Sequence, residues 1–332
     1  MPTCTNEIQL DLPPMIIAGS GRSGTTWVLD VLARTFRLRP IFEPLHPGAI
    51  KGAKAYAWKH VAPGGDLAGM DAFFREIFTG DISSCWTDLR FHPAELIPPP
   101  DFFRRTESAK LMLHRWINAF DHYRTYAPLR ARSRIIVKFI RANLLLGWLA
   151  QHFDARVLLL VRHPGAVVES KLRLGGFSWD PGRLLDVYRQ DETIHHLRGG
   201  VYRDLLSREL TSAQALALHW CIENQLPIAE AKQNGYLLVH YEDLVERGGP
   251  VWDRIAQFFD LSSGGWDQDL LSRPSQQASA TWRDNELAID SHQSWRHRIQ
   301  TKDLEDIQSI LTETDETLYS AYEPLPRTAT AT

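Results

Sequence analysis

The segment that most constrains the fold of this 332-residue chain is residues 19–27, with the sequence GSGRSGTTW. A short apolar run, residues 15–19, leads into it, and apolar residues at helical spacing follow it between Val28 and Phe36. This pattern predicts a strand, a tight glycine turn and a helix. In such a turn the backbone N–H groups and the N-terminus of the helix converge on one point, which favours binding of an anion.

Three further apolar runs predict strands, at residues 134–140, 156–161 and 235–240. The first two are continuous runs typical of central parallel strands that are buried on both faces. Helical patterns fall between them, at 144–153 and 212–233, and another helix ends near residue 259. The alternation predicts an α/β fold like that of P-loop NTPases, a central parallel sheet flanked by helices in three layers.

We expect one domain at residues 15–325, with an N-terminal extension at 1–14 and a flexible tail at 326–332. Two intervals, about 48–108 and 174–210, are richer in glycine, proline, aromatic and charged residues. They are predicted insertions over the carboxyl edge of the sheet, where loops often build a substrate pocket, although surface decoration explains this composition equally well.

Charge and composition argue against several classes of protein. The formal net charge of −3 gives no overall positive field that would attract nucleic acid. The chain start does not resemble a signal peptide, and no stretch reaches the roughly 18 apolar residues of a membrane helix, so we expect a cytoplasmic protein without a membrane span. The histidines and cysteines have no metal-ligand spacing, so no catalytic metal is predicted and Cys4, Cys85 and Cys221 are expected to be free thiols.

The glycine loop departs from the loop of nucleotide triphosphatases. When Gly19 and Gly24 are aligned on GxxxxGK[ST], the phosphate-binding lysine is replaced by Thr25. The cation is instead Arg22, inside the loop.

This loop resembles the 5'-phosphosulfate loop of sulfotransferases that use 3'-phosphoadenosine 5'-phosphosulfate (PAPS), and its arginine is typical of the carbohydrate-directed members. The resemblance implies that the phosphosulfate is held by Arg22, Ser23, Gly24, Thr25 and Thr26. It also implies that Trp27 approaches the adenine, although an ordinary core position for this tryptophan is the alternative.

Two later segments resemble other parts of the same family. Residues 158–172, LLLVRHPGAVVESKL, resemble its 3'-phosphate motif, which implies that Arg162 and Ser170 grip that phosphate. Residues 294–298, SWRHR, lie where the family has a basic loop over the 3'-phosphate, which suggests Trp295 and Arg296 as further contacts.

The candidate base follows from a second comparison within the family. Members that act on steroids and phenols have a histidine in a KTH sequence at a strand end, where this chain has Lys138, Phe139 and Ile140. The carbohydrate-directed branch has a glutamate soon after the first helix, and Glu43 occupies that place. Glu43 is therefore the first candidate base and His46 the second. Lys138 is a candidate for stabilising the leaving group or the acceptor, with an ion pair as the alternative.

The resemblance thus implies transfer of a sulfuryl group from PAPS to a hydroxyl or amine of a carbohydrate or small-molecule acceptor. The transfer would be an in-line displacement that releases 3'-phosphoadenosine 5'-phosphate (PAP). A kinase with an atypical loop is one alternative, but no apolar strand ends in a clear magnesium-binding aspartate. A catalytically inactive nucleotide-binding module is the other, but it would require loss of Arg22 or Glu43. The sequence does not indicate the identity of the acceptor or the oligomeric state.

Overall fold

The computed structural model describes residues 12–89, 116–117, 120, 123–262, 264–272 and 291–327. Its sheet has five parallel strands in the order β2-β3-β1-β4-β5. The first strand along the chain therefore lies in the middle. The strands are β1 (Met15–Ala18), β2 (Arg39–Phe42), β3 (Ile135–Phe139), β4 (Arg156–Val161) and β5 (Leu237–His240).

Helices connect the strands and cover the sheet. They are α1 (Thr25–Thr35), α2 (Met70–Thr79), α3 (Leu146–Phe153), α4 (Pro164–Leu174), α5 (Pro181–Arg189), α6 (Glu192–His195), α7 (Val201–Leu206), α8 (Ser212–Glu230), α9 (Tyr241–Arg247), α10 (Gly249–Phe258), α11 (Gln268–Ser272), α12 (Ser291–Ser294) and α13 (Thr301–Glu313). None of the described helices is long and apolar enough to cross a membrane.

The two faces of the sheet bury two separate cores. Along β1, Ile16 and Ala18 point into the core that includes residues of α2, α3, α4, α8 and α13. Met15 and Ile17 point into the opposite core, with residues of α1, α9, α10 and α11. Because successive side chains of a strand alternate between faces, an apolar run with no polar interruption fits this doubly covered position. The predicted three-layer α/β architecture is confirmed.

The strand register brings several chain segments to one edge of the sheet. Ala18 at the end of β1 lies opposite Phe139 on one side and Leu159 on the other. Phe42 lies opposite Lys138, and Val161 opposite His240. Since all strands are parallel, the loops that follow them open at the same carboxyl edge, where ligands bind in open α/β sheets.

The predicted strands agree with the structure to within about two residues, but β2 and several helices, among them α2 and α13, were not predicted as elements. β2 has only four residues and begins with an arginine and a proline, so it shows no clear period. The interval 174–210 folds into α5, α6 and α7. Cys85 and Cys221 are free thiols. Cys4, most of the N-terminal extension, residues 90–108 of the first insertion and most of the tail lie outside the described residues.

Candidate active site

The loop between β1 and α1 is shaped by two residues in the left-handed region. Arg22 has φ 76° and Gly24 has φ 92°. A side chain at Gly24 would be strained by this angle, and its Cβ would lie 2.6 Å from the ring of Tyr241. Ser20 and Ser23 brace the turn through their hydroxyls, 2.7 Å apart. α1 then begins without a side-chain cap at its N-cap residue, Gly24, as expected where a ligand anion meets the first turn.

Arg22 is bound to both halves of the second predicted motif. Its Nε donates a hydrogen bond to Ser170 Oγ at 3.0 Å, and its carbonyl oxygen accepts one from Arg162 Nη1 at 3.1 Å. The Arg162 guanidinium lies over the Tyr241 ring, 4.4 Å from its centroid. Arg162 Nε is buried and has no hydrogen-bond partner among the described residues. The structure therefore joins the two predicted nucleotide motifs and leaves a charged donor for a ligand.

The cations around the loop outnumber the carboxylates that face them. Burial, followed by repulsion from Arg162 and Arg173, lowers the pKa of Arg22 to about 10, and Glu169 acts in the opposite direction. Glu169 is itself bound by Arg173 and Arg298, each at 2.9 Å. A bound anion would relieve this positive excess, because an opposite charge favours the ionised form of each arginine.

Trp27 is both a core residue and part of a cavity wall. It is buried, its ring meets Tyr241 and Trp252 edge to face, and its indole N–H points at the carbonyl of Leu270, 3.4 Å away. The same ring lines a cavity of about 170 Å³ together with Tyr241 and Trp252. Both interpretations of Trp27 from the sequence, core packing and proximity to a planar ligand, are compatible with this position.

Glu43 lies at the end of β2 between two cations. Its Oε1 is 2.6 Å from Lys138 Nζ, and its Oε2 is 2.9 Å from Arg141 Nη1. The side chains of Glu43 and Lys138 are only 1% and 3% exposed. The backbone of Glu43 has φ 48°, an uncommon conformation for a residue other than glycine, and such conformations occur preferentially at functional sites.

The Glu43 cluster lies near the loop, since Lys138 pairs with Ile17 across β1 and β3 and a Cβ at Gly21 would lie 3.5 Å from Ile140. Burial lowers the pKa of Lys138 against the effect of Glu43, and Arg141 and Arg22 lower it further, so Arg22 lies within electrostatic reach. His46 is partly buried beside Trp86, with ring centroids 4.6 Å apart, and its Nδ1 accepts a hydrogen bond from the backbone of Gly48. Burial lowers the pKa of His46 below 6.5, as does the nearby Arg141, so the ring is neutral at neutral pH.

The C-terminal segment reaches α4 through Trp295, which was predicted from the sequence, and through Arg298, which was not. Trp295 is buried, stacks on His163 with centroids 4.5 Å apart, and packs directly on Gly165. Arg296 is exposed and donates to the carbonyl of Tyr322 at 3.3 Å. Arg298 is the residue of this segment that reaches Glu169, the neighbour of Ser170.

Several charged residues at this edge were not singled out from the sequence: Arg141, Lys171, His219 and Glu223. Arg141 follows Lys138 closely at the end of β3, and this proximity was a usable signal. The others lie on α4 and α8, where they interrupt apolar helical patterns without forming a linear motif. Among the described residues, no group of three or more His, Cys, Asp or Glu side chains is arranged to hold a metal ion.

Comparison with known proteins identifies the family of the chain. A family model described as "Sulfotransferase family" matches residues 13–268, and the chain belongs to this family. No curated protein matches the sequence.

Similar solved structures are also sulfotransferases. The sulfotransferase domain from the curacin biosynthetic pathway is 17% identical, with 92% of this chain and 98% of that chain covered and a TM-score of 0.45. The sulfotransferase domain from the Synechococcus PCC 7002 olefin synthase is 17% identical, with 91% and 96% covered and a TM-score of 0.43. Sulfotransferase STF9 from Mycobacterium avium is 14% identical, with 95% and 78% covered and a TM-score of 0.36. The family predicted from the sequence is confirmed by the family model.

Proposed function

We propose that this enzyme transfers a sulfuryl group from PAPS to a hydroxyl of a carbohydrate or another small molecule. The observation that carries the proposal is the convergence of Arg22, Ser170 and Arg162 at the glycine loop, with Arg162 Nε buried and without a partner among the described residues. A buried, unpaired guanidinium donor is costly unless an anion meets it.

The described residues fit the donor nucleotide. The loop from Ser23 to Thr26, with Arg22, would hold the phosphosulfate, and Arg162 and Ser170 would hold the 3'-phosphate. The cavity beside Trp27 and Tyr241 offers aromatic walls suited to the adenine. Trp295 would support the 3'-phosphate contacts by packing on His163, the residue after Arg162, and the exposed Arg296 is proposed to approach the same phosphate.

PAPS supplies an activated sulfuryl group and leaves as PAP. The task of the chain's own residues is then to position the acceptor oxygen, remove its proton and neutralise the charge that grows on the leaving oxygen. Arg22 and Lys138 are the cations placed for neutralisation. Glu43 is the proposed base, and it takes the proton on Oε1 when Lys138 turns from this oxygen toward the developing charge. His46 is the second candidate base.

Calorimetry with PAP and AMP tests the nucleotide assignment. PAP should bind more tightly, because only it carries the 3'-phosphate. Arg162→Ala should reduce the ratio of PAP affinity to AMP affinity by about ten- to a hundredfold, as expected for loss of one charge-assisted hydrogen bond. Arg156→Ala is a matched control, since Arg156 begins β4, the strand that Arg162 follows, and so lies at the opposite edge of the sheet. Equal affinity of the wild-type protein for PAP and AMP would refute the assignment.

A transfer assay then separates the enzyme classes. Radiolabelled PAPS should give a labelled acceptor, whereas ATP labelled in its γ-phosphate should give none. Labelling by ATP alone would instead identify a kinase, and PAP binding without transfer to any acceptor would identify a binding module.

A further inference from the structure

A second buried charged cluster lies next to the loop, on α4 and α8. Lys171 Nζ is 3.3 Å from His219 Nδ1, and His219 Nδ1 is also 3.2 Å from Glu223 Oε2. The side chains of His219 and Glu223 are each 2% exposed, and Lys171 is fully buried. Burying three ionisable groups together costs free energy, which nucleotide binding through Arg22 and Arg162 does not explain.

The cluster is connected to the loop through Ser170 and Trp179. Lys171 follows Ser170, the partner of Arg22, and its ammonium group is 5.4 Å from the ring centroid of Trp179. That ring packs on the loop itself, since a Cβ at Gly21 would lie 2.6 Å from it. Arg22 lowers the pKa of Lys171, and Arg141 lowers that of His219. Asn143, two residues after the Arg141 that pairs with Glu43, binds Glu223 of the cluster, so the cluster lies close to both the loop and the Glu43–Arg141 pair.

Several buried polar atoms in and beside the cluster have no hydrogen-bond partner within the described part of the chain. Two of them, Glu223 Oε2 and Tyr188 Oη, belong to residues that contact His219. Three others are His219 Nε2, Arg141 Nε and Asn143 Oδ1. Asn143 is held in place because its amide donates to the carbonyl of Glu223 at 3.0 Å. Of the last three atoms, one is a donor, one is an acceptor, and His219 Nε2 is either. Unpaired buried groups are rare and costly, so this set indicates a ligand with several polar groups.

The chemistry of His219 favours a hydroxyl as the ligand group. Burial is the main cause that lowers its pKa, so the ring is neutral near pH 7 with one N–H and one lone pair. If Nδ1–H donates to Glu223, Nε2 accepts a hydrogen bond. If Lys171 donates to Nδ1, Nε2–H donates one. A hydroxyl can donate and accept, so it satisfies Nε2 in either tautomer.

We propose that His219, oriented by Glu223 and Lys171, binds a hydroxyl of the acceptor other than the one that is sulfated. This proposal rests on the proposed sulfotransferase function and specifies its substrate class. One sulfated hydroxyl cannot also pair with all three unpaired groups, so the acceptor is polyhydroxylated, as a sugar is. A site built to bind a hydroxyl rejects analogues that lack it, because its buried polar groups then stay unpaired.

Two substitutions of His219 separate acceptor binding from a structural role. In His219→Asn the side-chain amide takes the place of Nδ1 and keeps a contact with Glu223, but nothing replaces Nε2. In His219→Gln the amide reaches the place of Nε2. If His219 binds the acceptor, kcat/KM falls by about ten- to a hundredfold in the asparagine variant and stays within about threefold in the glutamine variant. A purely structural histidine gives the opposite order.

The acceptors are a set of octyl glycosides and, as their matched partners, 1-octanol and octylphenol, all assayed with radiolabelled PAPS. We expect transfer to at least one glycoside and slower transfer to the simple alcohols. His152→Gln is a control, since this histidine lies on α3 in contact with Asp71. PAP affinity, measured by calorimetry, should be the same in all the histidine variants.

Preference for octanol or octylphenol, no transfer to any glycoside, or an unchanged kcat/KM in His219→Asn would overturn the proposal. The last result would mean that Nε2 meets only internal water. The two hypotheses fail separately. If the wild-type protein does not bind PAP, the sulfotransferase assignment is contradicted. If it binds PAP but kcat/KM is unaffected by substitution of His219, only the acceptor site is contradicted.

Discussion

Replacing Glu43 by glutamine tests the proposed base while keeping the shape of the side chain. Glutamine cannot take a proton from the acceptor, and loss of a general base typically lowers the rate by about 10² to 10⁴, equivalent to roughly 2.7 to 5.5 kcal/mol of barrier. PAP affinity should remain nearly unchanged, because Glu43 contacts Lys138 and Arg141 rather than the residues proposed to hold the nucleotide.

The same substitution also disturbs stability, because Glu43 separates two buried cations. Removing one partner of a buried ion pair typically costs about 3 to 5 kcal/mol, and here both Lys138 and Arg141 lose their carboxylate. A fall in turnover alone would therefore be ambiguous. The double variant Glu43→Gln/Lys138→Met removes one uncompensated charge and should recover part of the stability. Because Lys138 is itself a proposed catalytic cation, this double variant is used to measure stability and PAP affinity, not turnover.

The assay combines initial rates with an acceptor that the wild-type enzyme sulfates, calorimetry with PAP, and urea denaturation of each variant. Asp71→Asn is the control for charge removal, since Asp71 also has two basic partners, Arg75 and His152, but lies on α2. A Glu43→Gln enzyme within about threefold of wild-type turnover falls well short of the general-base range and would refute the assignment. A large loss in His46→Ala alone would move the role to His46.

Three further predictions concern the residues around the loop. Arg22→Ala should lower kcat more than PAP affinity, because charge on the leaving oxygen grows only in the transition state; weaker PAP binding at unchanged kcat would show a simple anchor. Burial lowers the pKa of Lys171 from 10.5 to about 8, so between these pH values the unfolded chain binds more protons and stability should rise with pH. Urea denaturation at pH 8 and pH 10 should show this rise in the wild-type protein and a smaller one in Lys171→Met, and an equal slope would contradict it. Glu242 accepts hydrogen bonds from the His163 backbone at 2.9 Å and the Tyr319 hydroxyl at 3.2 Å, so Glu242→Gln should weaken PAP binding more than AMP binding by disturbing Arg162. Calorimetry with an equal loss for both nucleotides would argue against this positioning role.

The sequence by itself determined the fold class and located the two segments predicted to bind the nucleotide, because both depend on local patterns. The segment around Arg22 joins a strand to a helix within a dozen residues, so its glycines and hydroxyls have a predictable conformation. The position of Arg162 directly after an apolar strand placed it at the carboxyl edge, because a parallel sheet aligns its strand ends there. Glu43 was predicted as the base from the resemblance to the carbohydrate-directed branch, which has a glutamate soon after the first helix, and this role stays a prediction.

Only the tertiary structure decided which side chains meet across that edge. The contact of Arg22 with Ser170 spans 148 positions and that of Glu43 with Arg141 spans 98, and such pairs depend on strand order and register. The order β2-β3-β1-β4-β5 puts β2 beside β3, which turns Lys138 and Arg141 toward Glu43. The packing of α4 on α8 brings Lys171 to His219 and Glu223. A helical pattern shows which face is buried but not which helix covers it, so this cluster had no signal in the sequence.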